Sequence, residues 1–159
     1  MDLRTFLRNL PSFSGFSPEE ILTLEGVLKV ATFPEGHAFT QQGEPGSAMH
    51  ILLDGNVRVT QKDEIAGLSQ EVKELHAGEL FGLLSLVSQM PAAATCTAAS
   101  QVSAASLSRE DFDQLVQVAP QLGHHLFYMV AVQLARDLQN RNRSMRELLK
   151  REVAAVASR

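Results

Sequence analysis

His124 and His125 are the only adjacent histidines in the chain, and an imidazole pair is where a metal site or a general base would be sought first. Neighbouring residues on a helix point about 100° apart, so these two cannot chelate one ion together. His50 stands inside the apolar run Met49-His50-Ile51-Leu52-Leu53, where a hydrogen-bonded core histidine is expected rather than a general base. Cys96 is the single cysteine. It leaves no partner for an internal disulfide and no basis for a cysteine-rich zinc site. A small buried apolar residue is expected there, with a place lining a pocket as the alternative. No nucleophile motif, Walker-type loop or Rossmann glycine pattern occurs. The chain is therefore expected to be neither an enzyme nor a metal protein.

The charges are unevenly placed. Residues 1–135 hold seven Lys and Arg against fifteen Asp and Glu, whereas residues 136–159 hold seven against three. A basic tail on an acidic body can touch nucleic acid or an acidic partner. The plainer alternative is a solvated helix face, and few aromatics are present there to stack on bases.

These residues need a scaffold, and 159 residues with 45% apolar and 20% charged side chains suit one soluble domain with its own core. No stretch at the N-terminus resembles a signal peptide, and no apolar run reaches the length of a membrane span. A soluble cytoplasmic protein is expected.

The elements follow from punctuation and periodicity. Between about Gly26 and Ser108, short apolar runs alternate with the turn signals Pro34-Glu35-Gly36, Gly43-Glu44-Pro45-Gly46, Asp54-Gly55 and Ala77-Gly78, the spacing of an antiparallel sandwich or barrel. Met49–Leu53 and Asn56–Thr60 flank Asp54-Gly55 and read as the clearest hairpin. Ser69–Leu75 alternates polar and apolar residues, as a half-exposed strand does. Ser17-Pro18-Glu19-Glu20 and Ser108-Arg109-Glu110-Asp111 are helix starts, each with a capping serine and acids in the first turn. After Gly123 neither glycine nor proline recurs, so one long helix is expected from about Pro120. On it Phe127, Ala131, Leu134, Leu138, Met145 and Leu148 repeat at a 4-3 spacing broken only by Arg141. That stripe suits a partner helix and hence a homodimer. The alternative is packing on the β core through about Leu138. The parts are then residues 1–25, helical; 26–108, β; and 109–159, helical, all in a single domain.

Two segments carry a resemblance. One runs from Phe33-Pro34-Glu35-Gly36 through Gln42-Gly43-Glu44-Pro45-Gly46 to Asp54-Gly55-Asn56-Val57-Arg58-Val59. The other is Gly78-Glu79-Leu80-Phe81-Gly82-Leu83-Leu84-Ser85-Leu86 with Pro91-Ala92-Ala93-Ala94-Thr95. Together they resemble the cyclic-nucleotide-binding domain family, the second segment being similar to its phosphate-binding cassette. The resemblance implies an α+β fold, an eight-stranded antiparallel β-roll of jelly-roll type with N-terminal helices and a long C-terminal helix. It also implies a cassette spanning residues 78–95, with Gly78, Leu80, Phe81, Gly82, Leu83, Leu84, Ala92, Ala93, Ala94 and Thr95 as the site residues. The family's cassette has a glutamate for the ribose hydroxyl where this chain has Leu83, and an arginine for the phosphate where it has Ala92. Phe81, Gly82, Pro91, Ala93, Ala94 and Thr95 match.

Losing one partner of a buried charge pair costs ~2–5 kcal/mol, and about 1.4 kcal/mol is tenfold in affinity. The expectation is a regulatory signalling module that does not hold cAMP in the usual way and acts through an unidentified protein partner. The alternative is a sensor of a cyclic nucleotide, a cyclic dinucleotide or another small ligand, with Arg58 or Lys62 as a substitute cation. Catabolite-activator-type regulators add a winged helix-turn-helix after the long helix. The residues after Leu149 are too few for one, so specific DNA recognition is not expected.

Overall fold

A computed structural model describes residues 2–63 and 65–158. Met1 and Arg159, the outer limits of the expected helical segments, lie outside the described residues, as does Glu64. Each of three helices opens on a side-chain cap. Asp2 accepts from Thr5 N at 2.8 Å and starts α1 (Leu3–Asn9). Ser17 and Glu20 form a reciprocal capping box at 3.1 and 3.0 Å and start α2 (Pro18–Val27), after a short 3-10 helix at Pro11–Phe13. Ser108 accepts from Asp111 N at 3.0 Å and starts α4 (Arg109–Val118). Each bond satisfies an orphan N–H of a first turn.

Eight strands lie between these helices: β1 (Lys29–Phe33), β2 (Ala38–Thr40), β3 (Ala48–Asp54), β4 (Val57–Lys62), β5 (Ser69–Leu75), β6 (Leu80–Phe81), β7 (Thr95–Ala98) and β8 (Val102–Ser108), with α3 (Leu84–Val87) after β6. They form two four-stranded sheets of order β1-β8-β3-β6 and β2-β7-β4-β5, with every strand pair antiparallel. This is the eight-stranded roll. The strand β3 is buried on both faces because it has a core on each. Met49 and Ile51 meet a helix-side cluster with Leu7, Phe13, Leu24 and Leu126. Leu52 meets an inner cluster between the sheets with Val57, Phe81 and Val102. The edge strand β5 buries only Leu75.

The expected hairpin is corrected. Asp54-Gly55 does turn the chain, but β3 and β4 do not pair with one another. β3 pairs with β6 and β8, and β4 with β5 and β7. The turn passes the chain from one sheet to the other. A second crossing at residues 99–101 docks on it, with Asn56 N donating to Ser100 Oγ at 3.0 Å and Ala99 N to Asn56 O at 2.9 Å. A ribbon of β3 and β4 therefore pairs with a ribbon of β7 and β8, and the double ribbon folds over at this corner. An Asp-Gly dipeptide specifies the reversal; which strands pair is decided by which faces must be buried.

The last helix, α5, runs from Pro120 to Ala157. Leu122, Leu126, Met129 and Val130 are its buried face, while every residue from 138 to 157 is exposed. Those twenty residues, at 1.5 Å each, extend for about 30 Å. No helix among the described residues is long and apolar enough to cross a membrane.

Candidate functional site

The segment resembling a cassette begins where Gly78 N donates to Leu52 O at 2.7 Å and Leu52 N to Glu79 O at 2.9 Å, which fastens it to β3. Leu80 and Phe81 continue this pairing as β6, opposite Ile51 and His50. Gly82 then turns with φ +70, and its backbone passes so near β3 that a Cβ would stand 2.7 Å from the Ala48 carbonyl oxygen. Only glycine fits that approach. Leu83 and Leu84 follow, with Leu83 at the cap position of α3 and making no side-chain cap bond. Its side chain is buried in the helix-side core along with Leu86. Leu84 is half-buried.

The second arm, Pro91 to Thr95, is sewn to the opposite lip. Gly43 N donates to Ala92 O and Ala92 N to Glu44 O, both at 2.9 Å. Gln61 Nε2 donates to Ala93 O and Thr40 Oγ1 to Ala94 O, both at 3.1 Å. Gln42 N donates to Thr95 Oγ1 at 3.0 Å, and the Gln42 amide clasps the Lys62 backbone at 2.7 and 3.0 Å. The carbonyls of all three alanines are thus engaged by the protein itself.

A family model for the cyclic nucleotide-binding domain matches residues 30–118, more than half of the chain. The chain belongs to the cyclic nucleotide-binding domain family. It is 28% identical over 128 residues to the cyclic AMP receptor protein of Thermus thermophilus, covering 80% of this chain and 59% of that one, so it spans less than two thirds of that relative's length. A cyclic nucleotide-binding domain from Methylobacillus flagellatus superposes with a TM-score of 0.76 at 26% identity, covering 91% of this chain and 82% of the other. The regulatory subunit of a cAMP-independent protein kinase A from Trypanosoma cruzi, bound to guanosine, superposes at 0.65 with 28% identity, covering 72% and 41%. By name these are a receptor protein, a nucleotide-binding domain and a kinase regulatory subunit.

Within this cyclic nucleotide-binding fold, the two departures sit differently. Ala92 is half-buried on the sewn arm, whereas Leu83 is turned into the core behind the cassette. Among the described residues, neither substitute cation named from sequence makes a side-chain hydrogen bond to the arm. Arg58 is exposed on β4 between the inward-facing Val57 and Val59, with Glu71 Oε2 at 3.9 Å from its Nε. Lys62 is exposed at the end of β4. Lys73 has Glu79 at 3.9 Å on the surface.

The roll interior holds a group of rings that sequence reasoning did not assemble. His50 stacks on Phe81 at 5.0 Å, Phe39 meets both edge-on at 5.0 and 5.1 Å, and Phe33 and His37 extend the set. The period-2 alternation of Met49-His50-Ile51-Leu52 was the available signal, since it sends His50 and Leu52 to one face. His50 Nδ1 lies 2.7 Å from Ser106 Oγ. Burial, reinforced by nearby His37, lowers its pKa to about 4. It is a neutral, hydrogen-bonded core histidine, as expected, and supplies no cation at neutral pH.

Cys96 is buried in the inner cluster and its thiol titrates above the usual range, because burial outweighs the opposing Thr40 hydroxyl and Lys73 charge. A thiol held protonated is a poor nucleophile. His124 and His125 diverge. His125 Nδ1 approaches Glu20 Oε2 to 2.7 Å, yet that buried oxygen accepts no aligned hydrogen bond. The contact is charge on charge when the ring is protonated, and it ties α5 to α2. Among the described residues no group of three His, Cys, Asp or Glu could hold a metal ion.

Proposed function

We propose that this chain is a non-catalytic regulatory module, working in the cytosol by protein contact, whose cassette does not hold cAMP in the family's usual way. The observation that carries the reading is the cassette arm itself. Where the family's pattern has an arginine it has Ala92, its carbonyls are engaged by Gln61, Thr40 and Gly43, and the buried His50 of the roll interior is neutral. Thermal unfolding with millimolar cAMP, cGMP or a cyclic dinucleotide is expected to leave the midpoint of the wild-type protein unmoved. A ligand that binds the fold must raise it by mass action. Ala92→Arg is expected to gain a cAMP response. It is the position to restore, because Leu83 is built into a core that a carboxylate would disrupt. A rise in the wild type with any cyclic nucleotide overturns the reading.

A second reading is favoured by one comparison. The T. cruzi subunit belongs to a protein kinase A described as cAMP-independent and was bound to guanosine, a ligand without phosphate. A cassette lacking its arginine fits an uncharged nucleoside better than a cyclic phosphate. A midpoint raised by guanosine and unmoved by cAMP supports this second reading and sets aside a retired pocket.

The contact surface is assigned to the outer face of α5, as a homodimer. Phe127, Leu138, Met145 and Leu148 are between 50% and 60% exposed, while Leu134 is half-buried against the core. The 4-3 spacing therefore continues past the domain as an unpartnered stripe. Burying one such side chain contributes about 1.5–3 kcal/mol. Leu138→Glu with Met145→Glu is expected to halve the mass measured by sedimentation and leave the unfolding of the roll intact. A wild-type protein already monomeric at high concentration removes the dimer from the proposal.

A further inference from the structure

The face of α5 turned away from that stripe carries four cations in a row. Arg136, Arg143, Arg146 and Lys150 are spaced seven, three and four residues apart and all are exposed. At about 100° per residue they share one side of the helix, with a single acid, Glu147, among them four residues after Arg143 and three before Lys150. Arg143 stands roughly 160° around from Met145, as Lys150 does from Leu148. Among the described residues no acid lies within ion-pair distance of any of the four. Asp137, the acid nearest their start, instead accepts from Gln133 Nε2 at 3.2 Å.

At its N-terminal end this basic row runs into a groove of about 340 Å³ between α5 and the segment around the short 3-10 helix. Pro11, Phe16, Met129 and Val132 give the groove apolar walls, Tyr128 stands at its mouth 72% exposed, and Arg136 belongs to both groove and row. The volume is that of a pocket for one or two side chains.

We infer that this face is a docking surface for an acidic peptide segment of a partner protein, with an apolar anchor in the groove and its carboxylates along the row. The chemistry selects the occupant. A nucleic acid would use the four charges but has nothing for the apolar walls, whereas a segment with one large apolar residue followed by acids uses both. The row from Arg136 to Lys150 is fourteen residues of helix, about 21 Å, or about six residues of extended chain. The inference names the partner's chemistry and so rests on the protein-contact reading. It does not rest on the dimer, whose stripe is on the other side.

The test is fluorescence polarisation at low salt with four labelled probes on the full chain. The probes are Phe-Leu followed by six glutamates, Ser-Ser followed by six glutamates, Phe-Leu followed by six serines, and a short oligo-dT. The first is expected to bind about tenfold more tightly than the second or third. Arg143→Ser with Arg146→Ser and Lys150→Ser, all on exposed helix, is expected to weaken the first probe about tenfold. Tyr128→Ser is expected to bring it towards the level of the second. Sedimentation of these variants should match that of the wild type, so failure of this surface and failure of the dimer are separate results. Equal binding of the first and second probes, oligo-dT binding as tight as the first, or no binding by any probe overturns the inference.

Discussion

Gly55→Ala is expected to destabilise the fold by about 3 kcal/mol and to lower the thermal midpoint by on the order of 10 °C. Gly55 has φ +88, in the region where an L side chain costs roughly 1–2 kcal/mol. A new Cβ would also fall onto the Gln101 carbonyl oxygen, with Ser100 Oγ at 3.0 Å and Val102 Cα at 3.1 Å. Those atoms belong to the second corner, so relief requires parting two crossings at once. Gly36→Ala is the control, since Gly36 has φ +90 with nothing within 4 Å of the added carbon. It should lose only the conformational share. Equal losses at the two positions in urea unfolding would mean that the docked corners contribute nothing, and the account of the folded ribbon would fall with them.

That corner also marks where sequence stops specifying structure. The helix starts at Ser17 and Ser108 were legible because a cap is a local device, complete within four residues. Strand positions were legible from turn residues and alternation, and the family frame from the segments around Gly55 and Gly82. Pairing was not legible, because Asp54-Gly55 encodes a reversal and says nothing of the sheet to which each arm belongs. The same gap separates composition from direction at Leu83. Sequence shows an apolar residue where the family has a carboxylate, but only the fold shows the side chain committed to the core behind the cassette. Helix α5 is the third case. Leu122, Leu126, Met129 and Val130 repeat at helical spacing as well as Phe127, Leu134 and Leu138 do. Periodicity identifies a helix with two apolar faces, and packing decides which one is covered.

The seam between β3 and β8, beside the ring group, should make the protein acid-labile through one residue. His50 binds a proton only near pH 4 when folded, against about 6.5 for an unhindered imidazole, mainly because the buried site penalises the charged ring. The unfolded chain therefore binds the extra proton between those values, and stability falls as pH falls through that window. At about 1.4 kcal/mol per pKa unit the loss by pH 4 is on the order of 3 kcal/mol. His50→Phe combined with Ser106→Ala replaces both polar partners by apolar groups and leaves no orphaned hydroxyl at the 2.7 Å contact. The new ring would stand against Phe39 and Phe81, an apolar setting that already accepts a stacked ring. The double variant is expected to match the wild type near pH 7.5 and to exceed it by about 2.5 kcal/mol at pH 4.5. Urea unfolding across that range decides it. Parallel curves for the two proteins would mean that another group sets the acid limit, and that the His50 site admits a charge its burial says it should refuse.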